Sequence, residues 1–336
     1  MSQEPNYTFA VDTAANQNFE QLNREQPKLS LVIPCYNEEE VLPETIKRLS
    51  ELMTQLCEKG KIAPDSAVVF VDDGSRDRTW QLIVQQADAD ALFRGLKLSR
   101  NRGHQHALLA GLHTVDGDAI ISIDADLQDD IRVIEDMVDA YRQGDDVVYG
   151  VRKERTTDSF FKRATAEGYY KLLAMMGVEL VFNHGDYRLL SRTALEALKK
   201  YDEVNLFIRG VIPTLGFRSS EVEYARDERF AGESKYPIHK MLSLAIQGIT
   251  SFSAIPLRII AMLGLTVSGI SVVMVIWALF TRLLNPEAVP GWASSVIPIY
   301  FIGGIQLLSI GVLGEYVSKI YMETKRRPRF LIDRIK

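Results

Sequence analysis

Two stretches of this chain, Ile259 to Phe280 and Ala293 to Gly314, contain no charged residue. Each runs to about 22 residues, enough for a helix to cross roughly 30 Å of hydrocarbon. Inside a bilayer each peptide group must find its partner within the protein, so a single isolated stretch of this kind can only be a helix. The linker from Thr281 to Trp292 holds Asn285-Pro286 and Pro290-Gly291, which mark a tight connection, so the two spans are expected to form a hairpin. Beyond them lie Lys319, Lys325, Arg326, Arg327, Arg329, Arg334 and Lys336, whereas the linker carries only Arg282. Positive-inside bias places both the preceding domain and this tail in the cytoplasm, in a multi-pass protein of the inner (plasma) membrane. A basic tail there also suits anionic headgroups.

The remainder of the 336 residues is enough for one sizeable α/β domain. The formal net charge of −5 argues against a nucleic-acid partner, whose phosphates favour a basic surface. Residues 1–27 are polar and lack an apolar core, so they read as a flexible tail and not a signal peptide. Cys35 and Cys57 are the only cysteines and are read as free thiols of a reduced compartment.

Short apolar runs alternate with helical patterns along residues 28–235. Leu29 to Pro34, Ala67 to Val71, Leu96 to Ser99, Ala119 to Ile123 and Val147 to Val151 read as strands. Between the first two, Val41, Leu42, Ile46, Leu49 and Leu52 make a helical stripe. Such alternation predicts a parallel, doubly wound sheet. A helix from about Gly103 carries Gly103, Ala107 and Gly111 four residues apart, small enough for close packing on the sheet. His104 and His106 do not share a helical face, so they are not a metal pair; they read as structural or as lining a substrate edge.

The fourth strand ends in Asp124-Ala-Asp126-Leu-Gln128-Asp-Asp130. Asp-x-Asp at the C-terminal end of a buried strand puts two carboxylates where open α/β sheets bind ligands. That pair suits a hard divalent cation, of the kind that holds a diphosphate. Asp129 and Asp130 precede a helical pattern and read as its acidic cap, outside the metal site. Residues 236–257 are apolar between basic ends and suit an interfacial amphipathic segment; Phe160 to Met176 is a second amphipathic candidate, for the interface or for packing within the domain.

Four motifs occur in order: Ile33-Pro-Cys-Tyr-Asn-Glu38, Val71-Asp-Asp-Gly-Ser75, Asp124-Ala-Asp126-Leu-Gln128, and Arg229-Phe-Ala-Gly-Glu-Ser-Lys235-Tyr. In these the chain resembles glycosyltransferase family 2, with its GT-A fold. Within the family it is similar to the polyprenyl-phosphate glycosyltransferases, which include dolichol-phosphate mannose synthases and bactoprenol glucosyltransferases. The resemblance covers about residues 28–330, and the paired C-terminal spans favour the bactoprenol group. It implies that Pro34, Tyr36 and Glu38 line a nucleotide pocket, with Tyr36 against base or ribose. Asp73 would accept from a uracil N–H beside Val71. Asp124, Asp126 and Gln128 would hold Mg²⁺ or Mn²⁺, and Arg152 a phosphate. Arg229 and Lys235 would hold the acceptor phosphate or the donor diphosphate. Asp186 and Arg188 match an element near the sugar and acceptor. The Gln-x-x-Arg-Trp motif of processive synthases is missing, which favours single transfer.

The resulting expectation is an α/β GT-A (Rossmann-like) doubly wound domain over residues 28–235. After it come the interfacial segment, two transmembrane helices within 258–318 (about 259–280 and 293–314), and a basic tail over 319–336. The expected reaction is metal-dependent, inverting transfer of one hexose, glucose first, from a UDP-sugar to undecaprenyl phosphate. A GDP-mannose or aminoarabinose donor is the near alternative, and a non-catalytic nucleotide-sugar-binding scaffold the distant one. Gly264, Gly269, Gly303, Gly304 and Gly311 lead us to expect a homo-oligomer within the bilayer.

Overall fold

The fold is described from a computed structural model covering residues 24–153, 184–204, 206–225, 250, 253–284 and 292–336. Arg229, Lys235, most of the interfacial segment, the Phe160–Met176 segment and most of the N-terminal tail lie outside the described residues.

Strands β1 (Leu29–Cys35), β2 (Ala67–Asp72), β3 (Phe93–Leu98), β4 (Ala119–Ser122), β5 (Val147–Arg152), β6 (His184–Ser191), β7 (Ser219–Tyr224) and β8 (Ile332–Ile335) form one sheet. Their order is β7-β5-β6-β4-β1-β2-β3-β8. β1 lies parallel to both β2 and β4, and β2 parallel to β3. The winding therefore reverses between β1 and β4, and a crevice opens at such a reversal beyond the strand C-termini. The expectation of a parallel sheet holds here and again for β5 and β7, which pair in parallel and run with β4; two strands depart from it. β6 runs antiparallel to β4 and β5, and β8 antiparallel to β3. The consequence for β6 is local: its first residues lie beside the last residues of β4, with Arg188 paired to Ser122.

Both faces of the sheet are covered, which is why the central strands are almost wholly apolar. On one face Leu29, Leu31 and Ile33 of β1 join α1 (Leu42–Glu58) and α4 (Val133–Arg142) in a core. On the other, Val32, Val69 and Val71 meet α3 (His104–Thr114), α5 (Arg192–Lys199) and α6 (Ile208–Thr214). α2 (Thr79–Ala89) lies against β3, where a Cβ at Gly95 would meet Ile83 Cγ2 at 2.6 Å. Of the three small residues on α3, Gly111 serves the close approach: a Cβ there would come within 2.3 Å of Val32 Cγ1. Ala107 is fully buried, whereas Gly103 has no neighbour in reach and a φ of +90°, so its use is conformational.

α7 (Ile255–Leu284) and α8 (Trp292–Thr324) are long enough and apolar enough to cross a bilayer. Met262, Leu265, Leu307 and Leu308 are each at least 70% exposed, a surface no aqueous protein presents without a partner. The Tyr316 hydroxyl donates to the Ser253 carbonyl, joining the far part of α8 to the start of α7, so the pair is an antiparallel hairpin. Both helices outrun the expected spans because helical backbone continues into charged ends such as Glu315, Lys319 and Glu323.

Beyond α8 the chain straps itself to the α/β domain. Glu323 accepts from the Val204 N–H, Arg329 donates to the Tyr201 carbonyl, and Phe330 packs edge-on to His113. Ser99 N–H then donates to Leu331, and Gly95 and Lys336 exchange backbone hydrogen bonds. The segment read from sequence only as a basic tail thus supplies an edge strand.

Candidate active site

The loops after β1 and β2 are laced together by side chains bonding backbone. Ser75 and Thr79 hydroxyls accept from the N–H groups of Asn37 and Glu38, and Asn37 Oδ1 accepts from Arg76 N–H at 2.9 Å. Asn37 is held at φ +56°, a conformation asparagine tolerates better than most residues. Pro34 and Val71, each one residue before the end of its strand, pair with each other across β1 and β2 inside the sheet. Tyr36 stands 41% exposed at this edge, an open aromatic face at the mouth of the crevice. Asn37, Glu38, Val41, Arg76 and Asp77 line a cavity of about 510 Å³ there.

Asp73, buried at the end of β2, accepts from the backbone N–H groups of Arg102 (2.7 Å) and Gly103 (2.8 Å). Burial raises its pKa, and those two hydrogen bonds only partly offset the rise. Its position at the strand end is the one expected for a base-binding carboxylate, and its bonds also fix where α3 begins. Asp72 is fully buried; its Oδ1 accepts from Ser75 N–H.

Beyond β4 the chain turns sharply. Asp126 Oδ1 accepts from Gln128 N–H at 3.2 Å, and Leu127 between them sits at φ +56°. A bulky apolar residue in that region is strained, and such strain persists where surrounding structure over-determines it. Asp124 Oδ1 is enclosed and accepts no hydrogen bond among the described residues. Burial pushes its carboxyl pKa up, against the pull of His104. Asp129 is buried and accepts from the Tyr224 hydroxyl at 2.7 Å, with Arg152 Nη2 at 3.5 Å. It is therefore not the helix cap expected from sequence. Nor does Asp130 cap it: the helix begins after Arg132 without a side-chain cap, and Asp130 accepts from Arg132 N–H in the turn before it. Arg152 reaches this edge from β5, also donating to Tyr224, and remains partly exposed.

Because β6 runs antiparallel, it delivers Asp186 and Arg188 to the same edge. Asp186 Oδ1 accepts from Arg188 Nη2, and its two oxygens accept from Arg209 Nε and Nη2 at 3.2 and 2.8 Å. His104 Nε2 lies 3.2 Å from Asp186 Oδ2 and 3.5 Å from Asp124 Oδ1. Burial opposes ionisation of Asp186, but His104, Arg188 and Arg209 outweigh it and hold the carboxyl well below the usual range. Arg188 is 1% exposed, and Nε and Nη1 have no partner among the described residues. Burial lowers its pKa, though a guanidinium still stays charged.

Every described candidate from the sequence thus gathers at one sheet edge. Two further residues take part at this edge. Arg209, in Leu206-Phe-Ile-Arg-Gly210, has no local signal beyond its charge. His104 was left between structural and substrate-edge readings, and its contact with two aspartates emerges only from the strand arrangement.

The donor set, two carboxylates at the crevice, fits a hard cation of the kind expected. Asp124 and Asp126 are oxygen donors at the crevice, and the Asp124 side chain keeps 30% of its exposure on atoms other than the enclosed Oδ1. Among the described residues no group of three or more His, Cys, Asp or Glu side chains is arranged to hold a metal. Such a cation would therefore take most of its ligands from outside the protein, as magnesium commonly does.

Residues 30–199 match the family model described as glycosyl transferase family 2. The chain is 51% identical over 314 residues to the uncharacterized glycosyltransferase YkoT of Bacillus subtilis, covering 93% of each. It is 42% identical to a prophage bactoprenol glucosyl transferase homolog of Escherichia coli, over 92% of this chain and 99% of that one. The same identity holds to the bactoprenol glucosyl transferase of Shigella phage SfX, over 91% of this chain and 98% of that one. The crevice at the β1/β4 reversal, its Asp-x-Asp turn and these matches make this chain a member of glycosyl transferase family 2.

Proposed function

We propose that this protein transfers one glucose from UDP-glucose to undecaprenyl phosphate, or a closely similar polyprenyl phosphate, with inversion at the anomeric carbon. The observation that carries the reading is the union of an Asp-x-Asp sheet edge with a bilayer-length helical hairpin whose tail is strapped to the same domain. Relatives named as bactoprenol glucosyl transferases, matching over nearly their full length, support it.

The chain's residues would divide the work as follows. Tyr36 offers a face to the nucleotide base or ribose, and Asp73 an acceptor for the uracil N–H. Asp124 and Asp126, with Gln128, hold a divalent Mg²⁺ or Mn²⁺; when bound, that ion neutralises charge on the departing diphosphate. Arg152 adds a cation to the phosphate side, and Arg229 and Lys235 are assigned to the acceptor phosphate or the donor diphosphate. The acceptor oxygen is already anionic near neutral pH. Asp186, kept ionised by two arginines and a histidine, is therefore not needed as a base. Positioning and charge stabilisation carry the catalysis. In this reading the protein is multi-pass in the inner membrane, with its catalytic domain and tail cytoplasmic. The open faces at Gly264, Gly269, Gly303, Gly304 and Gly311, none with a neighbour within 4 Å among the described residues, support self-association.

The test is purified protein in detergent with undecaprenyl phosphate, Mg²⁺ or Mn²⁺, and a panel of labelled nucleotide sugars. Metal-dependent label from UDP-glucose in the organic phase, abolished by Asp126→Asn, is the expected result. Lipid label from GDP-mannose alone would overturn the assigned donor. Folded protein that labels no lipid from any donor would overturn the reaction.

A further inference from the structure

Among the described residues the donor facing the enclosed oxygen of Asp124 is His104 Nε2, at 3.5 Å. The same nitrogen is hydrogen-bonded to Asp186 Oδ2 at 3.2 Å. Asp186 in turn is held by Arg188, itself buried, and by Arg209. An alternating line of charge results, arginines to Asp186 to His104 to Asp124, and it ends on the first carboxylate of the Asp-x-Asp turn.

His104 is also fixed on both sides along the chain. Its predecessor Gly103 gives its N–H to Asp73 at 2.8 Å. Its successor Gln105, with the amide turned to satisfy both partners, bonds the Leu206 carbonyl and the Ile208 N–H at 3.1 Å each. Gln105 thereby ties the start of α3 to the start of α6, which carries Arg209. The side chain of Asp124 keeps 30% of its exposure while Oδ1 is enclosed, so that exposure lies on its other atoms. One oxygen is turned to the protein, and the rest of the group remains available to the crevice.

The geometry points to His104 as a positioning residue that sets the orientation of the Asp124 carboxylate for the cation–diphosphate unit, using Asp186 as its anchor. Outer-shell partners of metal-holding carboxylates commonly act this way. The inference rests on the proposed function, which makes Asp124 a cation ligand, and adds a role for His104 and Asp186.

The test is binding of Mn²⁺ in the presence of UDP to the full-length protein, read as loss of the free Mn²⁺ paramagnetic resonance signal, alongside transfer kinetics. His104→Ala is expected to weaken Mn²⁺ binding roughly 10- to 100-fold with the melting temperature little changed. His104→Gln, which can return an N–H near the same place, is expected to recover most of it. Wild-type affinity in His104→Ala overturns the inference while leaving the proposed function standing. Equal losses of affinity and of melting temperature in both variants overturn it too, and make His104 a packing residue. Wild-type protein that binds no Mn²⁺ with UDP refutes the proposed function and this inference with it.

Discussion

Asp124 and Asp186 belong to one cluster, yet removing their charges should move stability in opposite directions. The Asp186 carboxylate neutralises Arg188, which is 1% exposed, and also bonds Arg209 and His104. Removing one member of a buried pair typically costs about 3–5 kcal/mol, because the other charge stays buried. Asparagine keeps one acceptor oxygen, so Asp186→Asn belongs near the lower figure, about 3 kcal/mol. For a domain of roughly 150–250 residues that lowers the melting temperature by about 6–12 °C. Asp124 is the reverse case. Burial raises its pKa, so at neutral pH the fold works against its ionised form, and Asp124→Asn should leave stability unchanged or raise it while abolishing transfer.

The pH dependence follows from the same signs. The depressed pKa of Asp186 gives stability that is complete above its unfolded value near 4 and is lost as pH falls through the folded value. The deficit of Asp186→Asn should therefore shrink in acid. For Asp124, with its pKa raised, any advantage of the asparagine should vanish below the unfolded value, where both states are protonated. The assay is intrinsic-fluorescence melting of detergent-solubilised protein in EDTA, from about pH 2 to about pH 8, so that it spans the acid range below the unfolded carboxylate value. An Asp124→Asn variant that melts as far below wild type as Asp186→Asn would refute this account of the cluster.

Three further outcomes are expected. Gly111→Ala places a methyl 2.3 Å from Val32 Cγ1 and 2.8 Å from Val71 Cγ2, and should cost about 1–3 kcal/mol of stability by thermal melting; a neutral result would mean that α3 slides freely on the sheet. Cys35 is 2% exposed with burial pushing its thiol up, so a maleimide at pH 7.5 should label Cys57 well before Cys35 in native protein; equal rates by peptide mass spectrometry would contradict the fold around β1. Deleting residues 331–336 bares the edge of β3, and should produce aggregates by size-exclusion chromatography in detergent; a monodisperse, wild-type-like profile would show β8 to be dispensable.

The strands β1, β2, β4 and β5 were legible because each is a short apolar run buried on both faces, and the first three end at acids or turn residues. β7 was not, since Ser219-Ser-Glu-Val-Glu-Tyr224 is an edge strand whose charged side chains face water and carry no core signal. β6 reads as Asp-Tyr-Arg within an otherwise ordinary segment, and its antiparallel direction has no local signature. That direction is what brings Asp186 to His104, 82 residues away in sequence. The strand-end aspartates Asp73, Asp124 and Asp126 were legible because carboxylates closing an apolar run are visible in one dimension, whereas residues such as Tyr36, Arg152, Asp186 and Arg188 were singled out only through the resemblance to the family. Arg209 carried no signal of its own, and His104 could be read only as structural or as lining a substrate edge, because a histidine at a helix start and an arginine in a short helix acquire specific partners only from what β6 sets beside them. Asp129 misled for the same reason: next to a helix start it resembles a cap, until Tyr224 and Arg152 arrive from distant strands to enclose it.

The pairing of β8 with β3 also orders events in time. Residues 93–98 leave the ribosome early, but the strand that covers their outer edge is synthesised only after both long helices. Until the hairpin is made, this half of the sheet waits with one border open, an edge prone to pairing with other chains. Closure by β8 therefore makes the last strand of the α/β sheet depend on a segment that follows both long helices, so the soluble fold is complete only once the whole chain has been made.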